Sequence, residues 1–122
     1  MVELTAAGKE ISSELATLIE GRIVGNITDN GQIDTGFMVN SVYSISSERD
    51  SYNEALVKAM ARAVREMSPK ASLAGADALV AVGAEYAIWQ EMRKSFAMKA
   101  IDQTKKDIPD IVKRVSMKRR LE

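Results

Sequence analysis

Two places in this sequence combine residue type and spacing in a way that could do chemistry: Asp34-Thr35-Gly36, and the cations Lys113, Arg114, Lys118, Arg119 and Arg120. Asp-Thr-Gly is the half-site of an acid protease, in which two such loops bring two carboxylates together to share a proton and activate a water. The tripeptide occurs once, so that chemistry would require a dimer, and the bulky Phe37 follows where a small residue would suit it. The same residues read more simply as a turn. Asp34 then accepts backbone bonds or caps a short helical turn after it, Gly36 supplies freedom in φ, and the loop is left as a candidate partner contact. The five cations could attract phosphates by counterion release. Cations near a helix C-terminus also complement its macrodipole, which is the plainer account of them. Tyr86, Trp89 and Met92 could form an exposed binding cluster, although their helical spacing points to the core.

What is missing bounds the chemistry further. The chain has no cysteine and no histidine, which excludes disulfides, thiolate nucleophiles, zinc sites of the usual ligand set and the commonest general base near pH 7. No Gly-rich phosphate loop, paired-carboxylate helix or metal-ligand cluster stands out. The expectation is a protein that is not an enzyme and holds no cofactor and no metal.

Lys+Arg and Asp+Glu both number 17, so no net charge steers the molecule toward nucleic acid or a membrane. With 122 residues against about 150 per domain, one domain over 1–120 is expected. Leu121 and Glu122 have the look of a cloning scar. At 13.4 kDa, scaling gives roughly 6,500 Å² of surface when folded against about 19,400 Å² unfolded, enough burial for a core without staples. No secretory signal is visible and no apolar run reaches the roughly 18 residues of a membrane span, so synthesis inside the cell and no membrane partner are expected.

The elements that must position these residues follow from periodicity. Leu4, Ile11, Leu15, Leu18, Ile19 and Ile23 recur at helical spacing and predict a helix over about 4–23, stopped by Gly25 and Asn26. Period-two alternation predicts a strand over 41–47, with room for a short helical turn before it. Leu56, Ala59, Met60, Ala63, Val64 and Met67 predict a helix over 54–67, ended by Ser68-Pro69 and followed by a connector over 68–77. Ala78 to Val82 reads as a second strand sharing one sheet with the first. Periodicity does not fix 85–92. A last helix over 96–117 carries Pro109 inside it, so a kink or break near 105–109 is expected. The fold class is α+β: a small, mainly antiparallel sheet packed against an N-terminal and a long C-terminal helix, with an additional central helix.

Several segments in order resemble the tail-completion proteins of long-tailed double-stranded DNA phages and prophages. They are Ile33-Asp34-Thr35-Gly36 followed by Asn40-Ser41-Val42, then Val82-Gly83, Tyr86-Ala87, Glu91, and Phe96 followed by Ala100. The likeness covers about 1–45 and 78–116. Met92-Arg93 and Ser95 replace that family's usual Gly-Thr turn and proline, and the helical middle departs from its strand-rich pattern. The resemblance implies a structural virion protein made in the bacterial host cytoplasm and located at the neck. It would form a ring of its own copies, often six, between a head connector or head-closure protein and a tail terminator or tail tube protein, around the channel that DNA crosses. The second expectation, of another class, is a small DNA-binding or regulatory protein using the basic C-terminal helix.

Overall fold

The computed structural model describes the backbone of residues 2–33 and 35–121 and the side chains of residues 8–33 and 35–118. The architecture is α+β, in the order α1 (Val2–Asp29), α2 (Phe37–Asn40), β1 (Val42–Ser46), α3 (Tyr52–Met60), β2 (Ala78–Val82), α4 (Ala87–Arg93), α5 (Ala97–Lys105) and α6 (Ile108–Leu121). β1 and β2 pair antiparallel, Val42 opposite Val82 and Ser46 opposite Ala78.

α1 runs past its expected stop. Gly25 and Asn26 lower helix propensity by about 1 kcal/mol or less each, and tertiary bonds outweigh that. Asn26 Nδ2 donates to the buried Phe96 carbonyl at 3.0 Å and to Gln103 Oε1 at 3.0 Å, clamping α1 to the start of α5. Beyond the helix, Asn30 Nδ2 donates to the Ser95 carbonyl, and Gln32 Nε2 donates to the carbonyls of Gln90 and Lys94. The apolar face of α1 delivers Ile23 and Ile27 to a core shared with Phe37, Met38, Val42, Tyr43, Ile45, Ala55, Ala59, Phe96 and Ala100. A smaller cluster joins Ile11, Leu15 and Leu18 of α1 to Ile111 and Val115 of α6.

The central helix is shorter than its stripe predicts. α3 ends at Met60, and the rest of its stripe follows without helical geometry: Ala63 packs against the core, Val64 is fully exposed, and Met67 joins the core while bridging Ala84. Met67 also packs closely on Gly83, so a side chain there would have to displace the flexible end of Met67. The 68–77 connector is tied down rather than loose. Tyr52 donates its hydroxyl to the Ser68 carbonyl, Ala71 N–H donates to Tyr43 Oη, and Lys70 pairs with Asp50.

The long C-terminal helix is two helices. α5 stops at Lys105 and α6 starts at Ile108, so Pro109 sits in the first turn of α6. There its missing N–H would have had no partner inside the helix, and the clash with the Lys105 carbonyl is avoided. Arg22 of α1 spans the break, donating to Thr104 Oγ1 at 2.9 Å and pairing with Asp107 at 2.6 Å.

The outer edges of the sheet are unequal. On β1, Ser44 N–H donates to Ser51 Oγ at 2.9 Å, the Ser44 carbonyl accepts from Ser51 N–H at 3.0 Å, and Ser46 N–H donates to the Arg49 carbonyl at 2.7 Å. The chain therefore covers that edge itself. Nothing comparable covers β2 among the described residues.

Replacing Asn26 with alanine removes its hydrogen bonds to Gln103 and to the Phe96 carbonyl, which keeps the Ala100 N–H at 3.1 Å, a loss of about 0.5–1.5 kcal/mol per bond against a helix-propensity gain of about 0.5 kcal/mol. Urea denaturation of Asn26→Ala is expected to show that net loss, and an unchanged midpoint would show that the clamp does not hold α1 to α5.

Candidate functional site

Around the Asp-Thr-Gly segment the described residues form a turn. Gly36 has φ 85°, Thr35 Oγ1 accepts the Phe37 N–H at 3.2 Å, and Asn40 Nδ2 donates to the Gly36 carbonyl at 2.7 Å. These bonds start α2 and drive Phe37 and Met38 into the core. Asp34 lies outside the described residues. Thr35 and Gly36 border a cavity of about 460 Å³ that Gln32, Arg65, Tyr86 and Gln90 also line. The Arg65 guanidinium lies over the Tyr86 ring, 5.0 Å from its centroid. Arg65 was not among the residues singled out by sequence, since its neighbour comes from a distant segment that no local spacing reveals.

The basic C-terminal segment is occupied with α1. Arg114 makes a two-pronged contact with Glu14, at 2.6 and 3.2 Å, and Lys118 pairs with the nearly buried Glu10 at 3.1 Å. Lys113 is exposed, and the side chains of Arg119 and Arg120 lie outside the described residues. The expectation of a DNA-binding helix is therefore corrected: of its cations, Arg114 and Lys118 neutralise carboxylates of this chain and close α6 onto α1.

The apolar cluster expected in the core is largely on the surface. α4 buries no residue, and Ile88, Trp89 and Met92 are 64%, 65% and 74% exposed. Tyr86, just before it, is half-buried, its ring centroid 6.5 Å from that of Phe37. Helical spacing identifies a shared face but not whether anything covers it.

Glu91 takes a structural role. Its carboxylate accepts from Ser95 Oγ at 2.7 Å and from the N–H groups of Phe96, Ala97 and Met98 at 2.9, 2.8 and 3.2 Å, satisfying the open donors at the start of α5. Ser95 Oγ accepts the Lys99 N–H at 3.3 Å and so shares the task. Partial burial pushes the Glu91 carboxyl up, but the Ala97 and Phe96 N–H groups, the Ser95 hydroxyl and the Met98 N–H outweigh it and hold the group below the usual glutamate range.

Residues 3–101 match the model of the YbjQ family, described as "Putative heavy-metal-binding". No curated protein and no solved structure matches the chain. The family match overturns the tail-completion resemblance and, with it, the virion, neck and ring reading of function. The short motifs that carried the resemblance have local causes: a positive φ at Gly36, the Met67 contact at Gly83 and the helix cap made by Glu91.

The donor set does not fit the metal that this description implies. Thiolate and imidazole, the ligands soft and borderline metals select, are absent from the whole sequence. Among the described residues no group of three or more carboxylates is placed to hold an ion. Met thioethers remain, but Met38 is buried in the core, and Met60, Met92, Met98 and Met117 are dispersed over α3, α4, α5 and α6.

Two outcomes are expected. Because the Glu91 carboxyl is held low in the folded chain, its stabilisation is present above the ordinary glutamate value of about 4.3 and is lost as pH falls through the folded value. Glu91→Gln should therefore flatten the acid limb of a stability-against-pH curve, and an unchanged limb would remove Glu91 as its source. In equilibrium dialysis against micromolar cadmium or zinc, binding should stay well below one ion per chain, whereas a stoichiometric complex would show that the donors suffice.

Proposed function

We propose that this chain, which belongs to the YbjQ family, is a non-catalytic structural module that works by associating with further copies of itself. The observation that carries this reading is the set of large apolar side chains that the described residues leave open on and beside α3 and α4.

The exposed residues are of the kind that interfaces bury. Val57, Met60 and Val64 lie on or just after α3, and Ile88, Trp89 and Met92 lie on α4, all at least half exposed. Trp and Met are enriched at protein interfaces, and a Trp is among the commonest energetic anchors. The titratable side chains of Glu10, Glu14, Asp107 and Glu91 serve ion pairs or a helix cap. This employment supports a structural rather than catalytic role.

Sedimentation equilibrium at tens of micromolar is expected to return a mass of two or more times 13.4 kDa. A single species at the chain mass across that range would overturn the proposal.

A further inference from the structure

α4 is seated inside out. A surface helix ordinarily turns its apolar stripe to the core and its polar residues to water, but here polar groups hold the helix to the protein. Gln32 Nε2 donates to the Gln90 and Lys94 carbonyls at 2.9 and 3.1 Å, and the Glu91 carboxylate accepts from Ser95 Oγ and from the Phe96, Ala97 and Met98 N–H groups. Ile88, Trp89 and Met92, at i, i+1 and i+4, share the other face, and each is more than half exposed. Met98, in the first turn of α5, adds a fourth exposed apolar side chain.

Three cations border this face on the same stretch of chain. Arg93, Lys94 and Lys99 are exposed, and among the described residues their side chains make no hydrogen bond or ion pair, unlike those of Arg114 and Lys118. Of the two acids on that stretch, Glu91 is spent on the N-terminus of α5, and Glu85 stands before α4, at the end away from the cations.

An outward Trp among aliphatic and thioether side chains, flanked by unpaired Lys and Arg, matches the boundary between water and a bilayer. Trp lies at the headgroup level there, its ring in the apolar layer and its N–H wet. Lys and Arg lay their stems on apolar surface while their charges meet lipid phosphates. A protein interface fits less well, because lysine is depleted at interfaces. No described helix is long and apolar enough to cross a membrane, so the contact is peripheral.

We propose that α4 docks on the surface of an anionic phospholipid bilayer, with Ile88, Trp89 and Met92 in the headgroup boundary and Arg93, Lys94 and Lys99 on the lipid phosphates. This goes beyond the self-association reading, which then rests on Val57, Met60 and Val64.

The test mixes the full chain with vesicles of phosphatidylglycerol and phosphatidylcholine, or of phosphatidylcholine alone, at about 0.1 M salt, where surface charges act over about 10 Å. The protein is expected to sediment with the first vesicles and not the second, and the emission of Trp89, the only tryptophan, to shift to the blue on the first. Trp89→Ser should weaken binding about ten-fold or more, and Arg93→Gln and Lys94→Gln about five-fold each. All three side chains are exposed, so far-UV circular dichroism should not change. Equal binding to both vesicles, or Trp89→Ser binding like the wild type, would overturn the proposal, and no binding to either would overturn it in favour of an acidic protein partner. A blue shift that grows with protein concentration in the absence of lipid would also overturn it, leaving self-association standing with α4 as its seat. A chain that keeps its own mass in solution yet binds the anionic vesicles would overturn self-association and leave the bilayer contact standing.

Discussion

A sheet of two five-residue strands cannot stand alone in water, so the structure depends on what covers it. That cover is α1, a helix of 28 residues and about 42 Å. One stretch of it supplies Ile23 and Ile27 to the main core, and an earlier stretch supplies Ile11, Leu15 and Leu18 to the contact with α6. Its polar residues fix position as its apolar ones supply burial. Ser13 meets Ser46, Glu20 accepts from Ser44 at 2.6 Å and pairs with Arg49, and Arg22 and Asn26 hold α5. Apolar packing alone would tolerate a sliding helix. The long-range hydrogen bonds specify one register, because a shift by one residue would strand buried donors.

Much of this was legible in the sequence. The helical period of α1, the alternation of β1 and the apolar run of β2 each reflect a face that the fold buries, and a face is what periodicity records. The errors share a cause. Gly25 and Asn26 are local stop signals, but the Asn26 side chain is spent on Phe96 and Gln103, distant residues that local pattern cannot name. The stripe through Ala63, Val64 and Met67 continues past the end of α3 because burial does not require a helix: Ala63 and Met67 reach the core from irregular backbone, and Val64 meets nothing. Pro109 was read correctly as a disruption, yet its position in a first turn makes it the start of a helix rather than a bend.

The candidate site was less legible than the fold. Gly36 was read rightly as a source of backbone freedom, and Thr35 joined it in the turn. The basic cluster misled because charge was counted without its partners, which lie on α1 some hundred residues away. Trp89 misled in the opposite direction, being assigned to a core that does not reach it. The family match adds a constraint of another kind. Membership follows from similarity over residues 3–101, while the property in the family's description needs donor atoms that must be present one by one. A chain without thiol or imidazole can keep the first and lack the second. α6 lies beyond the matched residues, and Arg114 and Lys118, its half of the ion pairs with Glu14 and Glu10, are side chains the family model does not cover.

That hold has a consequence in time. Arg114 meets Glu14 across 100 residues and Lys118 meets Glu10 across 108. At about 5–20 residues per second of synthesis, the Leu15 and Leu18 side of α1 waits roughly 5–20 s for α6 to exist. Through that interval the nascent chain presents an uncovered apolar helix face. The newborn chain is therefore a better substrate for a holding chaperone than the finished one, and slowing translation before Ile108 would lengthen that vulnerability without changing the folded state.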